Sequence, residues 1–150
     1  MDKIIIEKVT SFDDVILKDL ASRCKPLDIH TQYTYWVMCN YCQECSNIIK
    51  VNDEIAGFIM CVTNNDVIFI WQVGVLPEFR RKGLSQMLIE EVFESAKYQN
   101  KKIQFTVLEE NKASYNSFKK LCDKHGKSLK MIEVIYEGTD HEELKYEISD

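Results

Sequence analysis

An apolar stretch that stops at a proline and leads through three basic residues into an amphipathic helix is the feature that most constrains this fold. The apolar stretch covers residues 67–75, Pro77 ends it, and the basic residues at 80–82 directly precede Gly83. Apolar residues then recur at intervals of three and four over 83–100, which predicts a helix. The first amides of a helix lack internal partners, and the helix dipole is positive at that end. The pattern therefore predicts either an anion site that suits a pyrophosphate or an ordinary solvated basic turn.

Strand-like and helix-like patterns alternate along the rest of the chain, with no flexible linker or internal repeat. This organisation predicts one α/β (α+β) domain over residues 1–150. Short turns separate three of the strand-like runs, which predicts consecutive antiparallel strands. Thr10 or Ser11 is expected to cap the first helix and Asp28 the second. The expected strands are 4–9, 48–51, 55–62, 67–75, 103–108, 129–136 and 145–148, and the expected helices are 11–23, 31–42, 83–100 and 112–125.

Charge and hydropathy narrow the possible partners. The net charge of −5 at pH 7 leaves no general basic surface, so a nucleic-acid partner is not expected. No apolar run approaches the roughly 20 residues that a membrane span requires. The N-terminal residues also lack the long apolar stretch and the cleavage site of a signal peptide. We therefore expect a cytoplasmic protein with no membrane partner.

Three of the six cysteines, Cys39, Cys42 and Cys45, are spaced so that two residues separate each from the next. Three thiolates at this spacing could begin a zinc or iron–sulfur site, but no fourth cysteine or histidine follows at a usual distance. Free cysteine also packs as a small apolar side chain in a reducing compartment. We therefore predict free thiols and no metal, with a metal or redox protein as the alternative.

Two motifs in order give the chain a resemblance to the GNAT superfamily of N-acetyltransferases. The R-x-x-G-x-S turn at residues 80–85 is similar to the R/Q-x-x-G-x-G/A turn of that superfamily, with serine at the last position. Asn111, Ser114 and Phe118 resemble its N-x-x-A-x-x-x-Y helix. The resemblance implies the GNAT fold, which is a mixed, mostly antiparallel twisted sheet of about six or seven strands. Helices flank that sheet, and its fourth and fifth strands splay apart.

The resemblance to GNAT enzymes also implies that acetyl-CoA is the co-substrate. Its pantetheine arm would lie in the splay, and strand amides at 73–75 would face the acetyl oxygen. Its pyrophosphate would bind at the turn that precedes the helix. The residues expected to bind acetyl-CoA are Val73, Gly74, Val75, Arg80, Arg81, Lys82, Gly83, Leu84, Ser85, Asn111 and Phe118.

Two residues are expected to take part in catalysis, Glu109 as a general base and Tyr115 as a proton donor. Phe118 stands where GNAT enzymes often carry a tyrosine that protonates the departing thiolate, and phenylalanine has no hydroxyl. Tyr115 lies one turn earlier and could take that role only if the helix were rotated; otherwise the thiolate leaves unassisted or through water, which is the alternative we favour. A water chain is an alternative base, and so are the carboxylates of Asp28, Glu110 and Glu143.

A closer resemblance, over roughly residues 24–125, is to the diaminobutyrate acetyltransferases of ectoine biosynthesis. It rests on CKPLDIHTQYTYWVMC at 24–39, FIWQVGV at 69–75 and ENKAS at 110–114. It implies transfer of the acetyl group to the 4-amino group of L-2,4-diaminobutyrate. Neighbouring strand residues alternate in direction, so Trp71 and Gln72 are expected on opposite faces of the sheet. The residues expected to bind this substrate are Asp28, Tyr33, Trp71, Gln72, His141 and Glu143.

Three departures from that family leave the acceptor open. His30 and Thr31 replace an Asn-Ser pair, Gln104 replaces a common glutamate, and the segment HEEL at 141–144 is one residue short of H-x-x-E-x-L. Ornithine, lysine, a polyamine or a protein amine are therefore alternative acceptors. A binding module that holds acyl-CoA without turnover is the alternative function. The family resemblance also implies a homodimer.

Overall fold

The computed structural model describes all 150 residues, and the backbone forms seven strands, four α-helices and one turn of 3₁₀ helix at Pro77–Phe79. The strands are β1 (Ile4–Lys8), β2 (Asn47–Val51), β3 (Glu54–Thr63), β4 (Val67–Val75), β5 (Lys102–Val107), β6 (Ser128–Ile135) and β7 (Glu143–Ser149). The helices are α1 (Asp14–Arg23), α2 (Gln32–Tyr41), α3 (Leu84–Gln99) and α4 (Lys112–His125). Each predicted strand and helix is present, with bounds that differ by a few residues.

The strands form one mixed sheet in the order β1-β2-β3-β4-β5-β7-β6. Every neighbouring pair is antiparallel except β4 and β5, which run parallel. The predicted fold class and the predicted antiparallel run from β2 to β4 are therefore confirmed. β7 follows β6 in the chain yet lies between β5 and β6, so the acidic segment near residue 143 begins an interior strand.

Helices cover the sheet on both sides, and each side has its own hydrophobic core. α3 and α4 contribute buried residues such as Leu88 and Phe118 to one core, which defines the α3–α4 face. α1 and α2 contribute residues such as Leu17 and Tyr35 to the other, which defines the α1–α2 face. No helix combines the length and the apolar character needed to cross a membrane.

The residues that cap the N-termini of α1 and α2 are not the predicted ones. α1 begins at Asp14 because the carboxylate of Asp13 folds back and accepts hydrogen bonds from the backbone and hydroxyl of Thr10. Thr31 caps α2, since its hydroxyl accepts from the backbone amide of Thr34 at 3.1 Å. The prediction that Asp28 caps α2 is therefore wrong, and Asp28 lies in the irregular connection between the two helices.

The cysteines at 39 and 45 lie in different cores. Cys39 is buried in the core of the α1–α2 face, and Cys45 is buried in the core of the α3–α4 face. Burial raises the pKa of the Cys39 thiol to about 12 and also raises the pKa of Cys45. Thiols in this environment stay protonated and pack as small apolar side chains.

Candidate functional site

β4 and β5 separate part-way along their length. Their parallel pairing runs from Val67 to Ile70 on β4 and ends where Ile70 meets Phe105. Beyond that point β4 continues beside β3 to Val75, while β5 continues beside β7 to Val107. A wedge-shaped gap opens between the two strands, as the splay of a GNAT sheet requires.

The backbone of β4 offers polar groups to this gap. The amide of Leu76 donates to the carbonyl of Ala56 at 2.8 Å, so this amide points towards β3. Backbone groups alternate in direction along a strand, so those of Gly74 also face β3 and those of Val73 and Val75 face the gap. The amides of Val73 and Val75 can therefore donate to a carbonyl placed in the gap.

Gly74 has a packing role, and its predicted contact with the cofactor stays a prediction. Its amide belongs to the β3 side of the strand, as described above. A Cβ at this position would lie 2.9 Å from Leu27 Cδ1 and 3.0 Å from Cys24 Cβ. Glycine is therefore required here because the connection after α1 approaches the backbone of β4 closely on the α1–α2 face.

The basic turn before α3 has the left-handed backbone that turns amides towards an anion. Arg81 adopts φ +65° and Gly83 adopts φ +74°, and both residues are exposed. Arg80 is committed to the fold, because its Nε donates to the carbonyl of Val75 at 3.1 Å and its Nη2 to that of Lys25 at 3.2 Å. Arg80 thus fixes the end of β4 beside the turn. The turn combines exposed amides with the positive end of the α3 dipole.

The other predicted residues of the turn contribute in different ways. Lys82 forms an ion pair with Asp2 at 3.0 Å, so an anion would compete with that carboxylate. The side chain of Leu84 is buried in the core, which leaves only its backbone for a ligand. Ser85 is half-buried in the first turn of α3. The exposed charge at this turn therefore comes mainly from Arg81.

A β-bulge at Trp71 marks the point where β4 leaves β5. Gln72 lies opposite Met60 of β3, and Ile70 lies opposite the next residue, Cys61, so Trp71 has no partner. An extra residue reverses the alternation of the strand, so Trp71 and Gln72 project to the same face. Both contact Tyr35, whose ring centroid lies 5.5 Å from that of Trp71 and whose hydroxyl donates to Gln72 Oε1 at 3.0 Å. The prediction that they point to opposite faces is wrong.

Tyr35 and His30, rather than the predicted Tyr33, lie against Trp71. The imidazole of His30 lies 4.8 Å from the Trp71 ring between centroids. Tyr33 is 72% exposed and stacks on Trp36, on the outer side of α2. The sequence does distinguish the two tyrosines. Tyr35 is spaced three and four residues from Met38 and Cys39, which are buried with it on one side of α2, and Tyr33 is outside this pattern.

Polar side chains of β5 and β7 form the opposite wall of the gap. Phe105 and Tyr146 stack at 5.5 Å on the α3–α4 face, so Thr106, Glu143 and Lys145 project to the other face. Burial raises the pKa of Glu143, the carboxylate of Asp28 adds to this increase, and the hydroxyl of Thr106 opposes it. Glu143 and Asp28, which the sequence separates by more than a hundred residues, are therefore near enough for their carboxylates to interact, and we call them the carboxylate pair.

The chain matches the Acetyltransferase (GNAT) family over residues 15–123, which is more than half of its length. This chain belongs to the GNAT acetyltransferase family. It is 32% identical to the L-2,4-diaminobutyric acid acetyltransferase of Halalkalibacterium halodurans, with 97% of this chain and 81% of that protein aligned. It is 30% identical to the enzyme of the same name from Marinococcus halophilus, over 95% of this chain and 87% of that protein.

Solved structures of other GNAT proteins share this fold. The diaminobutyrate acetyltransferase EctA from Paenibacillus lautus, in complex with L-2,4-diaminobutyric acid and coenzyme A, matches with a TM-score of 0.85. That match covers 99% of this chain and 96% of EctA at 21% identity. Arabidopsis thaliana Naa50 in complex with a bisubstrate analogue matches with a TM-score of 0.79 at 18% identity, over 98% of each chain.

Asn111 lies just before α4, the helix that follows β5 in the GNAT fold. The side chain of Asn111 accepts from the amide of Ser114 at 3.2 Å and so caps α4. Phe118 is 2% exposed, and its ring stacks on Phe105 at 3.7 Å. Phe118 is therefore part of the core between the GNAT sheet and α4, which argues against the predicted contact with the cofactor.

The remaining predicted residues lie on the α3–α4 side or outside the GNAT site. The ring of Tyr115 lies 5.2 Å from that of Tyr146, a residue that the sequence did not single out. Burial raises the pKa of Tyr146, and Tyr115 and Glu109 add to the increase. His141 is exposed in the turn before β7. Glu109 and Tyr115 thus lie near the end of β5, while the contact predicted for His141 with the substrate stays a prediction.

Proposed function

We propose that this chain is an acetyl-CoA-dependent N-acetyltransferase that acetylates the 4-amino group of L-2,4-diaminobutyrate, as in ectoine biosynthesis. The observation that carries the proposal is the interaction of the Asp28 and Glu143 carboxylates on the α1–α2 face, the face on which Trp71 lies where β4 leaves β5. The names of the relatives from Halalkalibacterium halodurans and Marinococcus halophilus support the same substrate.

Acetyl-CoA would bind through the backbone of β4 and of the turn before α3. The amides of Val73 and Val75 face the gap and can donate to the pantetheine arm and to the acetyl carbonyl. A donor aimed at that oxygen stabilises the negative charge that develops when an amine attacks the carbonyl carbon. The exposed amides and the Arg81 charge of the turn would bind the pyrophosphate. Arg80 would not contact the cofactor itself but would hold the end of β4 in place, because it donates to the carbonyl of Val75.

The charged side chains of β5 and β7 that form the wall of the gap opposite β4 suit a diamino acid. Such a molecule carries two amino groups and one carboxylate, and the carboxylate pair can bind ammonium groups through charge-assisted hydrogen bonds. Lys145 lies opposite Thr106 on the same face and is half-buried, so it offers a cation for the substrate carboxylate. Glu133 of β6 is the other register neighbour of Lys145 and lowers the positive potential there. Trp71 would pack against the short methylene chain.

Glu143 is the carboxylate best suited to accept the proton of the attacking amine. Its raised pKa makes it a stronger base than an exposed glutamate, and it projects to the same face of the sheet as Trp71. Glu109 lies close to Tyr146, whose ring is on the α3–α4 face. We therefore propose Glu143 as the general base in place of Glu109. Tyr115 packs on the same Tyr146 ring and Phe118 has no hydroxyl, so we propose that the thiolate leaves unassisted or through water.

A thiol-release assay with acetyl-CoA tests this function. The acceptors are L-2,4-diaminobutyrate, ornithine, lysine, spermidine, 1,3-diaminopropane and a short peptide with a free N-terminus. We expect the highest kcat/KM with diaminobutyrate and a product acetylated at the 4-amino group by NMR. The proposal fails if no acceptor releases thiol, or if the peptide is preferred. Tight binding of coenzyme A without any turnover would instead support the acyl-CoA-binding module.

A longer diamino acid such as ornithine is the second candidate acceptor. The observation that favours it is the position of His30, which departs from the family pattern and packs on Trp71. A different side chain next to that ring changes the space that is left for the acceptor. Gln104, the other departure, donates to Glu147 at 2.8 Å at the far end of β5 and has no such effect.

We also propose that the enzyme works in the cytoplasm as a homodimer. Six free cysteines suit a reducing compartment. β6 is an edge strand with Met131 and Ile132 exposed, which offers a surface for pairing with a second copy. Light scattering at several concentrations measures the state, and a constant monomeric mass would contradict the dimer.

A further inference from the structure

We propose that Tyr35 and Gln72 are positioning residues that hold the Asp28 segment against the bulge of β4, and so set the affinity for the amine. The inference rests on the proposed function, because it concerns the segment that carries one half of the carboxylate pair. Residues 28–31 form neither helix nor strand. Their position must therefore come from side chains that bind them.

A buried chain of hydrogen bonds supplies that attachment. The hydroxyl of Tyr35 donates to Gln72 Oε1 at 3.0 Å, and Gln72 Nε2 donates to the backbone carbonyl of Asp28 at 2.8 Å. Tyr35 is fully buried and Gln72 is 6% exposed. The segment is held a second time where the His30 ring packs against both Trp71 and Tyr35, at 4.8 and 6.4 Å between centroids.

The direction of each hydrogen bond is fixed by chemistry. The carbonyl of Asp28 can only accept, so the amide nitrogen of Gln72 must face it, and the amide oxygen is left for the Tyr35 hydroxyl. Burial raises the pKa of Tyr35, so the hydroxyl keeps the proton that it donates. Loss of either side chain would leave a buried polar atom without a partner, which is costly.

The bulge explains why these two residues can act together. Without an extra residue in β4, the side chain of position 72 would point to the α3–α4 face, away from Tyr35. With it, Trp71 faces the acceptor while Gln72 lies behind it and contacts the Asp28 backbone. Tyr35 and Gln72 thus act on the amine through Asp28 rather than by contact.

The test is a double-mutant cycle between Tyr35→Phe and Asp28→Asn, with KM measured separately for diaminobutyrate and for acetyl-CoA. We expect Tyr35→Phe to raise KM for diaminobutyrate roughly fivefold to tenfold, as for the loss of one buried hydrogen bond. KM for acetyl-CoA should not change. In the Asp28→Asn background the effect of Tyr35→Phe should largely disappear, because the group that it positions has lost its charge.

Tyr41→Phe is the matched control, since Tyr41 lies on the same helix with its side chain 75% exposed, and it should leave both KM values unchanged. Gln72→Met, which keeps the volume and removes both hydrogen bonds, serves if Tyr35→Phe folds poorly. Additive effects in the cycle would overturn the inference, as would an equal rise in both KM values. A wild-type enzyme that does not turn over diaminobutyrate would instead overturn the proposed function, so the two failures are distinct.

Discussion

Replacement of Gly83 by alanine should weaken coenzyme A binding and lower stability by a magnitude that the backbone sets. Gly83 adopts φ +74°, and an added Cβ would meet no heavy atom within 4 Å. The cost is therefore conformational, at roughly 1–2 kcal/mol for a left-handed alanine. Alanine also restricts the unfolded chain, which offsets about 0.4–1 kcal/mol. We expect the free energy of unfolding to fall by about 1 kcal/mol in urea denaturation.

Gly126→Ala is the matched control for this change. Gly126 adopts φ +64° after the last residue of α4, and an added Cβ there also meets no heavy atom within 4 Å. Its stability loss should therefore be similar, at about 1 kcal/mol. Only Gly83→Ala places a methyl group where the pyrophosphate would approach the amides of the turn. In calorimetric titration with coenzyme A, we expect its Kd to rise roughly tenfold, and the control to bind as the wild type does.

Three results would refute this reasoning. If both variants bind coenzyme A as the wild type does, the turn before α3 is not the phosphate site. If both lose affinity equally, the loss reflects general stability rather than a contact at Gly83. A stability loss in Gly126→Ala without one in Gly83→Ala would show that the left-handed backbone at Gly83 is not needed for the fold.

Three further substitutions test other parts of the molecule. Because folding raises the pKa of Glu143 above 4.5, the contribution of Glu143 to the free energy of unfolding falls as pH rises from 4.5 through the raised pKa. In the Glu143→Gln variant this decrease in stability should be absent. The Tm of Glu143→Gln should exceed that of the wild type at neutral pH and approach it in acid. Parallel profiles of Tm against pH for the two proteins would contradict the raised pKa. Lys145→Gln should lower kcat/KM for diaminobutyrate by roughly tenfold and leave that for 1,3-diaminopropane, which has no carboxylate, unchanged; equal losses on both would exclude the carboxylate contact. Phe118→Ala should lower the free energy of unfolding by about 3–5 kcal/mol in urea denaturation, and a loss below about 1 kcal/mol would exclude its core position.

Much of the fold follows from local patterns in the sequence. The apolar run at 67–75 ends at Pro77 and the periodic residues of α3 begin after Gly83, so strand, turn and helix were predictable. The gap between β4 and β5 followed from the family resemblance and not from the pattern. Nothing in the residues of β5 alone shows where its pairing with β4 ends.

The bulge at Trp71 could not be predicted, and the reason is the burial of β4 on both faces. A strand buried on one face shows an extra residue as a break in its polar alternation. β4 is apolar at nearly every position, so the extra residue leaves no such break. The acceptor residues predicted by simple alternation were therefore divided between two faces, although Trp71 and Gln72 share one.

The acidic segment before residue 145 was difficult to interpret for a related reason. Most residues of β7 are only half-buried, so its charged residues resemble those of a solvated tail. Its place in the interior of the sheet depends on pairing with β5, which lies far away in the chain. Only that pairing brings Glu143 to the same side as Asp28, and no local pattern carries this information.

The position of β7 also bears on the order in which the protein can assemble during synthesis. β6 leaves the ribosome before β7, yet its only partner in the sheet is β7. β6 therefore has no strand to join until the residues after 143 have emerged. β7 must also pair with β5, which lies much earlier in the chain, and such non-local pairing is slow. Because Glu143 opens that same strand, a nascent chain could fold its acetyl-CoA half early and still be unable to bind the amine. Acceptor binding would then appear only in chains whose sheet is complete.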